Sequence, residues 1–319
     1  MSGAQLPMTA LVLTGPTGSG KSDWALRLAE QLPIEIISVD SAQVFRGMDI
    51  GTAKPTAAVR AQVPHHLLDL RDPSEPYSAG DFVRDAGAAL RQVAARGRLP
   101  VLVGGTQLYL RALLRGMAEL PAASPALRAQ LDAEGAARGW PALHAELALV
   151  DPRAAARIHP NDPQRIQRAL EVQRLTGRPI SDWQQDTQPP LADVRWLRFA
   201  MLPADRPAHA AALQRRFDAM MAAGFLEEVA ALFRRGDLHA ELPALRSVGY
   251  RQLWRYFGGT AGLEECCRLA VVATRQLAKR QLTWLRAEAG YLGLEPHNEG
   301  DFLRLLQAAR VGFHGRPGA

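Results

Sequence analysis

The sequence predicts an α/β fold with a parallel sheet core, a small helical insertion and a set of C-terminal helices. Three observations predict it. Short apolar runs alternate with amphipathic segments over residues 1–120, alanine, arginine and proline are frequent over residues 121–190, and a strand-like run (WLRFAML) returns at residues 196–202. Strands that alternate with helices favour a parallel, doubly wound sheet. We therefore expect core at 1–120, insertion at 121–190, core with basic helices at 191–290, and a weakly patterned tail at 291–319.

The first part of the core contains three predicted strands. They are residues 10–14 (ALVLT), 34–41 (IEIISVDS) and 99–106 (LPVLVGGT), and a helix is predicted at residues 79–96 before the third strand. Gly15 follows the first strand, Asp40 lies near the end of the second and Thr106 ends the third. Because the carboxyl ends of parallel strands share one edge of the sheet, these three residues are expected to meet at a ligand site.

The net charge of +6 is concentrated in one window of the sequence. Between Arg246 and Arg286, eight basic side chains oppose only two acidic ones, so this window carries +6 and the rest of the chain is neutral. Such a local excess is typical of a protein that binds a polyanion, although a solvated charged face is the alternative.

The expected cellular location and the expected role of the cysteines follow from features that the sequence lacks. No apolar run has the roughly 18 residues that a membrane span needs, and the first residues lack the pattern of a secretory signal. The two cysteines, Cys266 and Cys267, are adjacent, which is neither a disulfide framework nor zinc-ligand spacing. We expect a cytoplasmic protein without a membrane segment.

The stretch LTGPTGSGKS at residues 13–22 contains the pattern G-x-x-x-x-G-K-[ST] between a strand and a helix start. In that setting the pattern predicts a P-loop NTPase-like core whose backbone N–H groups converge on phosphate oxygens. Lys21 reaches the terminal phosphate, and the Ser22 hydroxyl can ligate Mg²⁺. We call residues 15–22 the glycine-rich loop and expect every one of them to bind a diphosphate: Gly15, Pro16, Thr17, Gly18, Ser19, Gly20, Lys21 and Ser22.

The pattern specifies a diphosphate or triphosphate but not the group attached to it. ATP and GTP are the commonest ligands of such loops. Nucleotide hydrolases, however, usually hold their metal with an aspartate on a strand. The third strand ends in Gly104, Gly105 and Thr106 without a carboxylate, which weakens the nucleotide interpretation.

Five ordered blocks resemble the bacterial tRNA dimethylallyltransferase family, the tRNA isopentenyltransferases. They are SVDSAQVFRGMDIGTAKP at residues 38–55, PHHLLDL at 64–70, VGGTQLYLRALLRG at 103–116, RSVGYRQLW at 246–254 and ATRQLAKRQLTWLR at 273–286. The resemblance implies that a dimethylallyl group passes from dimethylallyl diphosphate to the exocyclic amine of the adenosine 3′-adjacent to the anticodon of tRNA, with Mg²⁺ as cofactor. The glycine-rich loop would then hold the diphosphate of a prenyl donor. Gly18 and Ser22 stand where many members carry Ala and Thr.

That reaction needs groups for the leaving diphosphate and for the attacking amine. Allylic diphosphates ionise readily, so the main task is to stabilise the departing diphosphate beside the acceptor. The resemblance assigns Thr106 and Arg216 to this task. The adenine amine is a poor nucleophile, and a carboxylate that accepts its proton contributes roughly 10²- to 10⁴-fold. Asp40 is the candidate base, and an outer-shell Mg²⁺ holder is the alternative role for it.

Helical periodicity indicates an RNA-binding surface near the C-terminus. If residues 263–286 form one helix, four basic residues fall within about 40° of one another at about 100° per residue. They are Arg268, Arg275, Lys279 and Arg286. Four apolar residues share the opposite side: Leu263, Ala270, Leu277 and Trp284. One side would pack while the other contacts phosphates of a folded RNA.

The resemblance also implies a set of tRNA contacts. They comprise Asp40, Ser41, Ala42 and Gln43 in the core, Arg128, Gln164, Arg165, Ile166, Gln167 and Arg168 in the insertion, and Arg246, Ser247, Val248, Gly249, Tyr250, Arg251, Lys279, Arg280, Gln281, Leu282, Thr283, Trp284, Leu285 and Arg286 near the C-terminus. Tyr250 is expected to approach or stack on a nucleotide. An amine in a stacked loop is reached only when the base is pulled out, so we expect base extrusion into a channel above the donor site.

Lys54 and a histidine pair leave alternatives open. Lys54, in GTAKP, either approaches a phosphate or is an exposed loop lysine. His65 and His66, followed by Asp69, resemble a metal cluster superficially. Because adjacent side chains of an extended chain point to opposite sides, a packing and turn role is favoured for the histidines.

Two other functions remain open on the sequence. One is a nucleotide or nucleoside kinase, in which the loop holds ATP and Asp40 activates a hydroxyl. The other is an RNA-binding ATPase module that uses phosphate binding as a switch. The principal prediction is a monomeric prenyl transferase with Mg²⁺ as cofactor and with dimethylallyl diphosphate and the tRNA anticodon stem-loop as partners.

Overall fold

The computed structural model of the chain describes residues 8–118, 120–185 and 187–314. Its strands are β1 (Met8–Thr14), β2 (Ile34–Val39), β3 (His65–His66), β4 (Leu99–Gly104), β5 (Val194–Met201) and β6 (Leu292–Leu294). They form one sheet in the order β3-β2-β4-β1-β5-β6, and every neighbouring pair is parallel. The predicted α/β class with a parallel sheet is confirmed.

The helices of the described residues alternate with strands as far as β4, and beyond β4 they mostly follow one another. They are α1 (Lys21–Ala29), α2 (Ala57–Gln62), α3 (Ala79–Ala95), α4 (Gln107–Arg115), α5 (Pro125–Arg138), α6 (Trp140–Val150), α7 (Pro152–Ala155), α8 (Pro163–Thr176), α9 (Ile180–Trp183), α10 (Arg206–Ala222), α11 (Phe225–Phe233), α12 (Tyr250–Phe257), α13 (Leu263–Ala287) and α14 (Glu299–His314). Helix α3 begins with a capping box in which Ser78 and Asp81 satisfy each other's backbone N–H groups, as that motif requires.

The core of the sheet explains why its central strands read as uninterrupted apolar runs. Strands β2 and β4 are buried along their whole length, and β1 along all but its first residue, because helices cover both faces of a parallel sheet. One hydrophobic cluster joins alternate residues of the strands, such as Leu11 and Leu13, to Trp24 of α1 and Phe302 of α14. These layers hold the carboxyl ends of β1, β2 and β4 side by side at one edge.

The chain divides into two compact units. The core unit comprises the described residues up to Leu110 and from Leu191 onward, and the inserted unit comprises Arg111–Pro190. The inserted unit has its own hydrophobic core, in which Leu131 of α5, Leu143 and Leu147 of α6, and Ile166 and Leu170 of α8 are buried. The segment predicted as a helical insertion, residues 121–190, lies within this unit and contains helices α5 to α9.

The segment described as a weakly patterned tail contains a strand and a helix within residues 291–314. Strand β6 adds the sixth strand by pairing with β5, and α14 buries Phe302, Leu305, Leu306 and Phe313 in the sheet core. Apolar residues at offsets of three, four and eleven from Phe302 are a helical signal that a closer sequence reading detects. Within the described residues, no helix is both long and apolar enough to cross a membrane.

Candidate active site

A cavity of about 1200 Å³ opens at the carboxyl edge of the sheet in the core unit. Its walls bring together the glycine-rich loop, the segment from Asp40 to Gln43, the end of β4 at Thr106, and Arg216 of α10. The prediction that Gly15, Asp40 and Thr106 approach one edge of the sheet is met by this geometry, with Asp40 and Thr106 lining the cavity itself.

The glycine-rich loop bends so that α1 starts at Lys21 and points its N-terminus towards the cavity. Gly18 and Gly20 have φ values of 72° and 80°, in the left-handed region that glycine adopts at least cost. A Cβ at Gly18 would also lie 2.6 Å from the Leu213 side chain. Glycine at these two positions lets the loop turn its backbone N–H groups towards an anion at little conformational cost, and alanine at Gly18 would require the Leu213 side chain to move.

Several cations line the cavity, and Lys21 and Arg216 are the two that lie by the glycine-rich loop and Asp40. Lys21 donates a hydrogen bond to the carbonyl of Pro16 at 2.7 Å, and burial together with the neighbouring Arg216 lowers the pKa of Lys21 to about 7, while Asp40 partly opposes the shift. Burial also lowers the pKa of Arg216, against the opposing influence of Asp40 and Asp23. Among the described residues neither cation forms a salt bridge, so both remain available to an anion in the cavity.

Asp40 and Thr106 present one unengaged group each. Oδ1 of Asp40 accepts the N–H groups of Ala42 at 2.8 Å and Gln43 at 3.4 Å, and Oδ2 has no hydrogen-bond partner among the described residues. Oγ1 of Thr106 accepts the N–H of Ser41 at 3.0 Å. Its own hydroxyl proton meets only Ser41 Oγ, at 3.5 Å. The aspartate can therefore accept a proton and the threonine can donate a hydrogen bond.

The glycine-rich loop is held at Thr17 by two distant helices. The Thr17 N–H donates to Oε1 of Gln281 on α13 at 2.9 Å, and the Thr17 carbonyl lies 2.9 Å from Nε2 of His209 on α10. His209 is a contact that sequence reasoning missed. It lies 192 positions from Thr17, and no local pattern marks the residue.

Glu228 is a second residue that sequence reasoning missed. Its carboxylate accepts backbone N–H groups of Asp49 at 2.8 Å, Ile50 at 2.7 Å and Gly51 at 3.1 Å, and the hydroxyl of Tyr250 at 2.5 Å. An acidic residue in the first turns of α11 reads as an ordinary helix-dipole partner. The contacts instead make it the anchor of the turn at residues 49–51.

The anchored turn continues into the segment beside Asp40. Nε2 of Gln43 donates to the carbonyls of Thr52 at 3.2 Å and Ala53 at 3.3 Å, and Oε1 of Gln43 accepts from Ser38 at 2.8 Å. Glu228 therefore stabilises the turn at residues 49–51, and the carbonyls that follow this turn hold the Gln43 side chain. The Gln43 side chain, predicted as a tRNA contact, uses both ends of its amide inside the protein.

The donors available for Mg²⁺ are oxygens from few residues. Ser22 is exposed in the cavity, which Asp23 and Asp40 also line. No group of three or more His, Cys, Asp or Glu side chains that could hold a metal occurs in the described part of the chain. Such a site fits an ion that takes hard oxygen donors and keeps much of its own water, which Mg²⁺ does.

Helix α13 forms as predicted and exposes the predicted basic side. Arg268, Arg275, Lys279 and Arg286 are all exposed. Arg268 donates two hydrogen bonds of 2.8 Å to Glu265, whereas the other three form no salt bridge among the described residues. We call these four residues the basic stripe. Its members from Arg275 onward are not paired with a carboxylate among the described residues.

The opposite side of α13 differs from the expectation of a packed apolar face. Ala270 is buried, but Leu277 and Trp284 line the cavity together with Arg280 and Gln281. Leu282 and Leu285, expected to contact tRNA, are buried at 8% and 3% exposure. Thr283 is exposed, and its hydroxyl donates to the Lys279 carbonyl at 2.9 Å. Side-chain contact with RNA is excluded for the two buried leucines.

The RSVGYR block divides between cavity and core. Arg246, Ser247, Val248 and Gly249 line the cavity, and Arg251 is exposed on α12. Tyr250 is fully buried, with its ring centroid 4.9 Å from that of Phe225. Tyr250 also lines the cavity, although its ring packs on Phe225 and its hydroxyl is held by Glu228, and its expected approach to a nucleotide stays a prediction.

Several expected tRNA contacts of the inserted unit have structural roles instead. Ile166 is fully buried. Arg128 and Arg168 donate to the buried Glu171 at 2.9 Å and 2.6 Å, and Gln167 donates to Asp132 at 2.7 Å. A buried carboxylate needs such partners, so these residues join α5 to α8. Only Gln164 and Arg165 remain exposed at the start of α8.

Neither alternative for Lys54 holds. Lys54 is 6% exposed, and its ammonium group donates to the Phe45 carbonyl at 2.7 Å and to the carboxylates of Asp49 at 2.6 Å and Asp69 at 2.7 Å. All three of its protons are used, so Lys54 closes a loop inside the core unit.

The histidine pair has the packing role that the sequence favoured. Nε2 of His66 lies 2.6 Å from Glu35 Oε2, and Nδ1 of His65 lies 2.7 Å from the Val63 carbonyl. Arg96 donates to the same Glu35 carboxylate and is the main cause that holds the pKa of Glu35 below its usual value.

Comparison with known proteins gives matches over most of the chain. A family model described as IPP transferase matches residues 43–288, and one described as Isopentenyl transferase matches residues 8–72. The chain is 56% identical over 300 residues to a protein of Methylococcus capsulatus named tRNA dimethylallyltransferase, covering 94% of this chain and 96% of that one. A 54% identical relative with the same name comes from Stenotrophomonas maltophilia, and the match covers 92% of this chain and 94% of that protein.

Two solved structures are similar over most of the chain. The full-length tRNA isopentenylpyrophosphate transferase of Bacillus halodurans is 34% identical with a TM-score of 0.70, and the match covers 97% of each chain. A eukaryotic dimethylallyltransferase, described as acting on tRNA, is 25% identical with a TM-score of 0.79 over 97% of this chain and 80% of that one.

Proposed function

This chain belongs to the IPP transferase family, and we propose that it transfers a dimethylallyl group from dimethylallyl diphosphate to the exocyclic amine of the adenosine 3′-adjacent to the anticodon in tRNA. The products are isopentenyladenosine and diphosphate. The observation that carries the proposal is the cavity in which Lys21 and Arg216, neither of them in a salt bridge among the described residues, lie with Asp40, whose Oδ2 has no hydrogen-bond partner there. The names of the matched relatives support prenyl transfer over the kinase alternative.

The donor side of the reaction uses the glycine-rich loop, Lys21, Arg216 and Thr106. The carbon–oxygen bond of the donor breaks as negative charge moves onto the leaving diphosphate. Loop N–H groups, the two cations and the Thr106 hydroxyl are aimed at this charge, and fixed donors of this kind stabilise a transition state more than the ground state. Mg²⁺ supplies further neutralisation of the diphosphate when bound, and we propose that Ser22 holds it.

The acceptor side uses Asp40. The adenosine amine forms the new nitrogen–carbon bond and must lose one proton. Oδ2 of Asp40 has no other hydrogen-bond partner in the described structure and can accept that proton, while Oδ1 is fixed by the N–H groups of Ala42 and Gln43. A held carboxylate is a better base than a mobile one because its orientation costs nothing during the reaction.

The RNA side uses the exposed part of the basic stripe, from Arg275 to Arg286, with Gln164 and Arg165 of the inserted unit as further candidates. Phosphate contacts by unpaired cations place the anticodon stem-loop, and the target base reaches Asp40 by extrusion from its stack. We propose that the enzyme works as a monomer in the cytoplasm.

The test is incubation of the protein with dimethylallyl diphosphate, Mg²⁺ and an anticodon stem-loop, followed by mass spectrometry of the RNA. We expect the RNA mass to rise by one dimethylallyl group with one diphosphate released per transfer. Cleavage of ATP in step with turnover, or RNA of unchanged mass, contradicts the proposal.

Asp40→Ala separates the two roles considered for Asp40. As a base, its loss lowers the single-turnover transfer rate by roughly 10²- to 10⁴-fold while the binding of donor, Mg²⁺ and stem-loop persists. If the Mg²⁺ affinity, measured by calorimetry with inorganic diphosphate present, falls by as large a factor as the transfer rate, Asp40 is a metal holder instead.

A further inference from the structure

Gln281 of α13 connects the two parts of the cavity that face the leaving group. Its Oε1 accepts the Thr17 N–H of the glycine-rich loop at 2.9 Å, and its Nε2 donates to the Gly105 carbonyl at 2.8 Å. Gly105 directly precedes Thr106. The family resemblance had placed Gln281 among the tRNA contacts, but both ends of its amide are directed into the protein.

The space around this amide is tight. A Cβ on Gly105 would lie 2.5 Å from Nε2 of Gln281 and 3.1 Å from the Gly15 carbonyl. The glycine-rich loop, the end of β4 and the Gln281 side chain therefore meet with no room for a methyl group. On the other side of Thr17, His209 of α10 holds the carbonyl, so the backbone of Thr17 is held by side chains from two helices.

We propose that Gln281 is a positioning residue that sets the distance between the glycine-rich loop and the Thr106 hydroxyl. The inference rests on the proposed function. The leaving diphosphate must meet the loop N–H groups and Thr106 at the same time, and a misplacement of about 1 Å between such groups costs about 100-fold in rate. One side-chain amide bonded to both elements fixes that separation, and it does so from the helix whose other side carries the basic stripe.

The variant that tests this is Gln281→Met, which keeps the length of the side chain and removes both hydrogen bonds. We expect its affinity for inorganic diphosphate with Mg²⁺, measured by calorimetry, to fall about 3- to 10-fold, and the single-turnover transfer rate to fall about 100-fold. Its affinity for the anticodon stem-loop, measured by fluorescence anisotropy, should stay within about twofold of wild type.

Gln276→Met is the matched control, because Gln276 is an exposed glutamine on the same helix and contacts neither element. All three measurements should be unchanged in it. Weaker stem-loop binding by Gln281→Met with unchanged diphosphate binding would make Gln281 an RNA contact and overturn the proposal. Unchanged values in all three measurements would overturn it as well.

Gly105→Ala keeps the proposal testable if Gln281→Met does not fold. Gly105 has no left-handed φ, so the backbone accepts alanine, and the new methyl group displaces the Gln281 amide. We expect Gly105→Ala alone to lower diphosphate affinity and transfer rate while stem-loop affinity is kept, and unchanged values in all three measurements would contradict the proposal. Where Gln281→Met folds, the two single variants and the double variant form a double-mutant cycle. We expect the double variant to lose no more rate than the worse single variant, whereas fully additive losses would contradict a shared mechanism. Diphosphate affinity tests Gln281 even if wild-type protein transfers no prenyl group.

Discussion

The arginines of the inserted unit and the cations of the cavity differ in what neutralises them. Arg128 and Arg168 both donate to Glu171, whose side chain is 0% exposed, and Arg174 donates to Glu134 and Glu146. Lys21 and Arg216 have no such partner in the described structure, and burial lowers the pKa of both. A paired arginine stabilises the fold, whereas an unpaired cation in a cavity is available to an anionic ligand. Pairing therefore indicates function more reliably than residue type does.

Among the tests of this comparison, replacement of Arg216 should have the largest effect. Arg216→Met removes a cation from the leaving diphosphate without breaking an ion pair, so we expect the transfer rate to fall roughly 10²- to 10³-fold and the free energy of unfolding to change by less than about 0.5 kcal/mol. Single-turnover kinetics and urea unfolding measure the two. Arg206→Met, at an exposed arginine of the same helix that is not among the residues lining the cavity, is the control with near-normal rate. A large loss of unfolding free energy in Arg216→Met would contradict the difference between Arg216 and the paired arginines of the inserted unit.

Replacement of Arg128 should show the opposite profile. Arg128→Met leaves Glu171 with Arg168 and the Ser124 N–H as partners, so part of a buried charge loses its compensation and we expect a loss of about 1–3 kcal/mol in unfolding free energy. Stem-loop affinity of the folded protein should change little. If affinity falls while stability is kept, Arg128 contacts RNA as the sequence suggested.

The lowered pKa of Lys21 should make diphosphate binding depend on pH. With a pKa of about 7, Lys21 is mostly neutral in the free protein at pH 8, and a bound diphosphate raises that pKa. Binding then takes up a proton, and the affinity falls by up to about tenfold per pH unit above pH 7. Calorimetry in buffers of different ionisation enthalpy measures the uptake. Lys21→Met corrects for ionisation of diphosphate itself, and equal proton uptake by this variant and wild type would contradict the assignment.

The smallest effect is expected on the basic stripe of α13, which contains a paired residue, Arg268, and an unpaired one, Lys279. Lys279→Ala should lower the slope of log affinity against log salt for the stem-loop by about one. Arg268→Ala should lower it less, because Glu265 already neutralises Arg268. Fluorescence anisotropy between about 50 and 200 mM salt measures both slopes. Equal slopes for the two variants would show that pairing does not matter on this surface.

Sequence patterns predicted well those features that depend on neighbouring residues or on sheet topology. The glycine-rich loop is eight consecutive residues, and its backbone geometry follows from its own glycines. Asp40 and Thr106 were placed at one edge because parallel strands end together. The helix through Arg275 and Lys279 was predicted from periodicity. Helix α14 was missed, although the spacing from Phe302 to Phe313 carried a helical signal.

Other features depended on partners far away in the chain. Whether Arg128, Lys54 or Tyr250 is free or engaged depends on Glu171, Asp69 and Glu228, which lie 43, 15 and 22 positions away. Periodicity places a side chain on one side of a helix but does not identify what covers that side. Trp284 was therefore expected in a packed face and lines the cavity instead.

By itself, the sequence determined the parallel α/β core, the glycine-rich loop and the placement of Asp40 and Thr106 at one edge of the sheet, because local backbone preferences and strand order suffice for these. Arg216 was named from the family resemblance. Only the tertiary structure decided which charges are neutralised, which aromatic rings are buried, and that Gln281 and His209 hold the loop at Thr17. Hydrogen bonds and ion pairs act over about 3 Å, and packing brings such partners together from positions that no sequence window contains.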